Sequence, residues 1–124
     1  MQYDSVFVAL ADGDGEKLVR FYQDLFGQEP IVYVPNRYAE FQLMGLRLGI
    51  FQPSVEHQAE FAPVSGGSMS LCIEVKQLEA AIERLTELGC PPPGSVVRAS
   101  HGKEIYAYDP AGNRLILHEA IRLP

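Results

Sequence analysis

The second half of this chain repeats the first, and that repetition limits what it can fold into more than any other feature. Ser5-Val6-Phe7-Val8-Ala9-Leu10 is a short apolar run stopped by Asp12-Gly13-Asp14-Gly15, which reads as a buried strand entering a turn. Leu18, Val19, Phe21, Tyr22, Leu25 and Phe26 then recur at helical spacing, and Gly27 ends that helix. Asp14 is expected to cap it, with Glu16 in its first turn. Three strand-like pieces follow, Ile31 to Val34, Tyr38 to Leu43 and Leu46 to Phe51, separated by Pro35-Asn36 and Met44-Gly45.

The order then starts again. Ser70 to Val75 reads as a strand, and Leu78, Ala81, Ile82, Leu85 and Leu88 form a second amphipathic helix stopped by Gly89. After Pro91-Pro92-Pro93-Gly94 come Ser95 to Ala99, Glu104 to Tyr108 and Arg114 to His118, three more strands. Gly45-Leu46-Arg47-Leu48-Gly49-Ile50-Phe51-Gln52 lies over Gly112-Asn113-Arg114-Leu115-Ile116-Leu117-His118-Glu119, sharing Gly, Arg and Leu in place. Phe7 lies over Ser70 in the first strands. The expected fold class is therefore α+β: two tandem βαβββ modules whose curved mixed sheets surround a cleft. Module one spans 4–52, a linker 53–68 and module two 69–120, all within a single domain of 124 residues. Ser65-Gly66-Gly67-Ser68 reads as a flexible hinge.

The net charge of −6, with only three Lys, offers no basic face for nucleic acid or an anionic membrane. No apolar run approaches the roughly 18 residues of a membrane span, and Met1-Gln2-Tyr3-Asp4 lacks the character of a signal peptide. Cys72 and Cys90 read as reduced thiols, so the expected location is cytoplasmic. Phosphate-loop, dinucleotide and nucleophile-elbow patterns are absent from the sequence.

The βαβββ repeat, Phe21-Tyr22-x-x-Leu25-Phe26-Gly27 and Tyr108-Asp109-Pro110-Ala111-Gly112-Asn113-Arg114 resemble the vicinal oxygen chelate superfamily over roughly Asp4 to Glu119. That superfamily includes glyoxalase I, extradiol dioxygenases, and fosfomycin- and bleomycin-resistance proteins. The resemblance implies a divalent metal held by His and Glu on the first and last strand of each module. Those positions fall here at Phe7, Gly49, Ser70 and Ile116. Phe, Gly and Ile cannot coordinate a metal, and a neutral Ser hydroxyl is a poor ligand.

A one-residue slip turns a side chain to the opposite face, whereas a two-residue slip keeps the face and brings in His118, with Cys72 or Glu74. Against that reading, a single His near a strand end is more often structural or solvated, and Glu74 reads as rim charge. His57 and His101 read as solvated loop residues, and Glu119 as facing water. The resemblance also places Tyr106 where extradiol dioxygenases use a Tyr beside iron. Without iron ligands it reads as an aromatic strand residue at the cleft wall, with Glu104 and Tyr108 on its face.

The expected site is thus an aromatic, polar-edged cleft of Phe7, Tyr38, Phe51, Tyr106 and Tyr108, with His118, Glu74 and Ser70 as hydrogen-bonding partners. The expected function is binding of a small organic ligand, aromatic or cationic, without metal or cofactor, as in resistance proteins that the chain resembles. A homodimer is expected from the same resemblance. Two other readings stay open. One is a metal-dependent lyase, isomerase or dioxygenase with ligands displaced to His118 and Glu74, and the other is a protein-interaction or structural module.

Overall fold

The structure, a computed structural model, describes residues 1–14, 16–62 and 67–121. Ser65 and Gly66 of the expected hinge lie outside the described residues. The chain divides into two units, residues 1–62 and 63–124, and each carries a four-stranded mixed, open sheet.

In the first unit the order is β1 (Val8–Ala11), α1 (Lys17–Phe26), β2 (Val32–Val34), β3 (Tyr38–Leu43) and β4 (Leu46–Phe51). The spatial order is β1-β4-β3-β2, with β1 parallel to β4 and the other pairs antiparallel. Alternation sorts the residues by face. Ala39 and Phe41 of β3 and Leu48 and Ile50 of β4 are buried, as are Leu18, Val19, Phe21 and Tyr22 on the apolar side of α1. Tyr22 holds this interior through an edge contact with Phe21, at 5.0 Å between ring centres, and a stacked contact with Phe26 at 6.0 Å. Strands β3 and β4 match their expected limits. Strand β1 is shifted toward Ala11 because its register follows β4, from Val8 beside Leu48 to Ala11 beside Phe51.

The second unit repeats the order with β5 (Leu71–Glu74), α2 (Leu78–Glu87), β6 (Val97–Ala99), β7 (Gly102–Tyr108) and β8 (Arg114–Ala120). Its sheet runs β5-β8-β7-β6, again with the first strand parallel to the last. Leu78 and Leu85 of α2 and Ile105, Ala107, Leu115 and Leu117 of the sheet are its buried apolar residues. The register reproduces the sequence repeat. Gly49 sits between Ala9 and Glu40 as Ile116 sits between Cys72 and Tyr106.

Each helix start is held by a carboxylate from outside the helix, and at α1 it is not the one expected. Asp12, not Asp14, accepts the backbone N–H of Leu18 at 3.0 Å and that of Asp14 at 3.1 Å. Asp14 instead pairs with Lys17 at 3.0 Å on the surface. Glu16 is not in the first turn but at the cap position, in a left-handed conformation. Its carboxylate accepts the Tyr33 hydroxyl and the Asn36 N–H, tying the β2–β3 turn to α1 and holding the Glu16 carboxyl below its usual range, chiefly through the Tyr33 hydrogen bond. In the second unit Glu119 does not face water. It accepts the Leu78 N–H at 2.6 Å from across the sheet and so caps α2.

The Asp-Pro-x-Gly-Asn signature is a self-contained turn. Buried Asp109 accepts the N–H groups of Ala111 and Asn113, both at 2.9 Å, and the Asn113 side-chain amide at 2.8 Å. Three donors that would otherwise lie unpaired beside β8 are satisfied by one carboxylate. The stretch read as a linker contains a 3-10 helix, Val55–Phe61, whose Phe61 ring meets Phe51 edge-on at 5.1 Å.

Candidate functional site

Opposite its buried face, each sheet has an open face, and the expected site residues lie on these two faces. In unit one the face carries Phe7, Tyr38, Glu40, Arg47, Gly49 and Phe51. Gly49 has no side chain, and a Cβ there would lie 2.9 Å from the Tyr38 hydroxyl and 3.3 Å from the Phe7 ring. Those two rings fill the space. The Tyr38 hydroxyl donates to Glu40 at 2.6 Å, and the other Glu40 oxygen lies 3.9 Å from Arg47 Nε. The Arg47 guanidinium lies 4.4 Å above the Phe7 ring and donates to Ser5 Oγ at 3.0 Å. The Tyr38 hydroxyl is pushed up to about 12, first by burial and then by its bond to Glu40.

In unit two the register sets three rows across the open face. Ser70 adjoins Arg114 and Tyr108, Cys72 adjoins Ile116 and Tyr106, and Glu74 adjoins His118 and Glu104. Tyr106 and Tyr108 are exposed, at 52% and 37%. Arg114 donates to Ser70 Oγ at 3.3 Å and to the Gly67 carbonyl at 2.7 Å. His118 Nδ1 lies 2.8 Å from Glu74 Oε2, and His118 Nε2 lies 3.2 Å from His101 Nδ1. His101 is therefore not a free loop residue, and the near neighbours of His118 are Glu74 and His101 rather than Cys72.

The two units carry related faces with two residues exchanged. By register, Glu40 corresponds to Tyr106 and Tyr38 to Glu104. Arg47 and Arg114 correspond directly, each lying beside its first-strand position, Phe7 or Ser70.

These residues do not fit the metal that the resemblance implies. At position 49 two aromatic rings occupy the room a ligand would need, and at position 116 the side chain is apolar. At positions 7 and 70 a guanidinium stands where a divalent cation would be repelled. Among the described residues, no three His, Cys, Asp or Glu side chains are grouped so as to hold a metal ion.

Glu40, Arg47, His101 and Arg114 complete the picture without having been expected. Two-residue alternation from Tyr38 points to Glu40, and the shared Arg of the repeat points to Arg47 and Arg114. Nothing in the sequence signals His101, which the β7–β8 pairing carries to His118. A small depression in unit one, lined by Asp12, Glu16, Tyr33, Asn36, Tyr38 and Phe51 among others, has about 20 Å³ of room. That suits a water molecule and not an organic ligand.

Residues 5–117 match the Glyoxalase/Bleomycin resistance protein/Dioxygenase superfamily. The chain belongs to that family. No curated protein matches it. Among solved structures, it is similar to a glyoxalase-related enzyme from Fulvimarina pelagi, with 26% identity, coverage of 94% of this chain and 88% of that one, and a TM-score of 0.72. It is also similar to lactoylglutathione lyase from Agrobacterium tumefaciens, at 23% identity, 95% coverage of each chain and a TM-score of 0.68. The fosfomycin resistance protein FosX from Listeria monocytogenes shares 20% identity, with 98% and 96% coverage and a TM-score of 0.75. The last two likenesses speak for the fold alone. Among the described residues no helix is long and apolar enough to cross a membrane.

Proposed function

We propose that this protein binds a small organic ligand, planar and cationic in part, without using the metal positions of its family. The observation that carries this reading is the filled Gly49 position, where the Tyr38 hydroxyl and the Phe7 ring take up the room of a metal ligand. In its place the family scaffold presents exposed aromatic rings. Tyr106 and Tyr108 stand on the open face of unit two beside Glu104, with Glu74 at the edge of the same face. A ring can stack on the tyrosines while its positive charge faces the carboxylates, and cation–π attraction adds about 0.5–2 kcal/mol depending on how far water is excluded.

The test is a fluorescence titration of the full chain with an acridine-type cationic dye, with and without a chelator. Saturable binding that ignores the chelator and weakens about fivefold or more in Tyr106→Ala supports the reading, since a lost ring contact of about 1 kcal/mol changes affinity by that order. No binding, or binding indifferent to both Tyr106→Ala and Tyr108→Ala, overturns it.

A further inference from the structure

The Glu74–His118–His101 chain in unit two has the makings of a metal-binding pair at a place distinct from the four family positions. The carboxylate of Glu74 only accepts hydrogen bonds, so the 2.8 Å contact makes His118 Nδ1 the donor. That fixes the lone pair of neutral His118 on Nε2, the nitrogen 3.2 Å from His101 Nδ1. A carboxylate behind a histidine, orienting the ring and raising its basicity, is the usual support of a metal-bound imidazole.

The separation fits as well. With metal–nitrogen distances of about 2.05 Å, nitrogens 3.2 Å apart subtend roughly 103° at the metal. That lies between square-planar and tetrahedral geometry, so it suits Cu(II), Ni(II) or Zn(II). The hydrogen now shared between the rings passes to the other nitrogen of His101, leaving two lone pairs for the ion. His101 lies on an exposed turn, which lets its ring adjust.

Room is kept beside Nε2 by Gly102. Its φ of 146° is one that side chains rarely adopt, and a Cβ there would meet the Glu119 carbonyl oxygen and stand 2.9 Å from His118 Nε2. Open positions remain on the ion for water or a small ligand, because no third protein ligand is grouped with these two among the described residues.

We propose that His101 and His118 bind one borderline divalent ion, Cu(II), Ni(II) or Zn(II), with Glu74 as the positioning residue for His118. The site shares Glu74 with the ligand reading above but does not rest on it.

The test titrates untagged full-length chain with Zn(II) by calorimetry and with Cu(II) by electron paramagnetic resonance, which reports coordinated nitrogen. The expected result is one saturable site with two nitrogen ligands. It should be lost in His101→Gln, and weakened about tenfold or more in Glu74→Gln by loss of the supporting carboxylate. Cys72→Ser and Cys90→Ser should leave it unchanged. His101 is an exposed turn residue, so its variant keeps the fold, which circular dichroism checks. No saturable binding, binding unaltered in His101→Gln, or binding lost in either Cys variant would overturn the proposal. Loss of dye binding with metal binding intact would overturn only the ligand reading.

Discussion

The Tyr38 hydroxyl stands 2.9 Å from the point where a side chain at Gly49 would begin. The two positions therefore cannot be altered independently. Gly49→Ala should destabilise the chain by about 1–3 kcal/mol, as overpacking does where neighbours cannot easily give way. Most of that loss should disappear in a Tyr38→Ala background. Urea denaturation of the four proteins in a double-mutant cycle checks it, and additive effects would contradict the crowding described here.

The same hydroxyl gives a pH dependence of known sign. Its value is raised from 10 in the unfolded chain to about 12 in the folded one, so the native state keeps a proton that the unfolded state releases. The associated stability is complete below pH 10 and lost as pH rises toward 12. Tyr38→Phe should flatten stability across that window. It should also remove the last-titrating component of tyrosinate absorbance, and an unchanged titration curve would count against the part-buried bond to Glu40.

Helix capping should follow the observed carboxylates. Asp12→Ala leaves the Leu18 and Asp14 amides without their acceptor and should cost about 1–2 kcal/mol. Asp14→Ala, which removes an exposed ion pair, should cost less than about 0.5 kcal/mol. Glu119→Ala should resemble Asp12→Ala, since it strips the Leu78 amide of its partner. Thermal and urea unfolding give the ranking, and a larger loss at Asp14 than at Asp12 would reverse it.

At the β7–β8 turn, Asp109→Ala should cost about 2–4 kcal/mol, because it strands three donors beside a central strand. Asp109→Asn should cost less. It can still accept from the two backbone amides while presenting a donor to the Asn113 side chain. Equal losses in the two variants would show that the turn depends on charge rather than on acceptor geometry.

The sequence made the interior more legible than the open faces. Apolar periodicity located β3, β4 and both helices, since burying one face is what those patterns are selected to do. The repeat predicted the Gly49 and Ile116 equivalence that the register shows. Capping was misread because Asp14 is nearer to α1 in sequence, while Asp12 is held in place by its N–H bond to the Phe51 carbonyl at 2.9 Å. The 3-10 helix escaped notice because Val55 and Phe61 make no periodic stripe. His101 was missed for a different reason. Its meeting with His118 depends on how two strands pair through a turn, which local composition does not encode.

The placement of β8 has a consequence for synthesis. It is the last strand of its sheet to be made, yet it lies between β5 and β7 and supplies the carboxylate that starts α2. A ribosome-bound chain that has exposed β5, α2, β6 and β7 can pair β6 with β7 but still lacks the strand that joins β5 to them. The first unit waits in the same way for β4, which is its last strand to be made and lies between β1 and β3, but that strand is complete by residue 51. Folding during translation should therefore be sequential, each sheet closing only when its last strand emerges, unit one with residues 46–51 and unit two with residues 114–120.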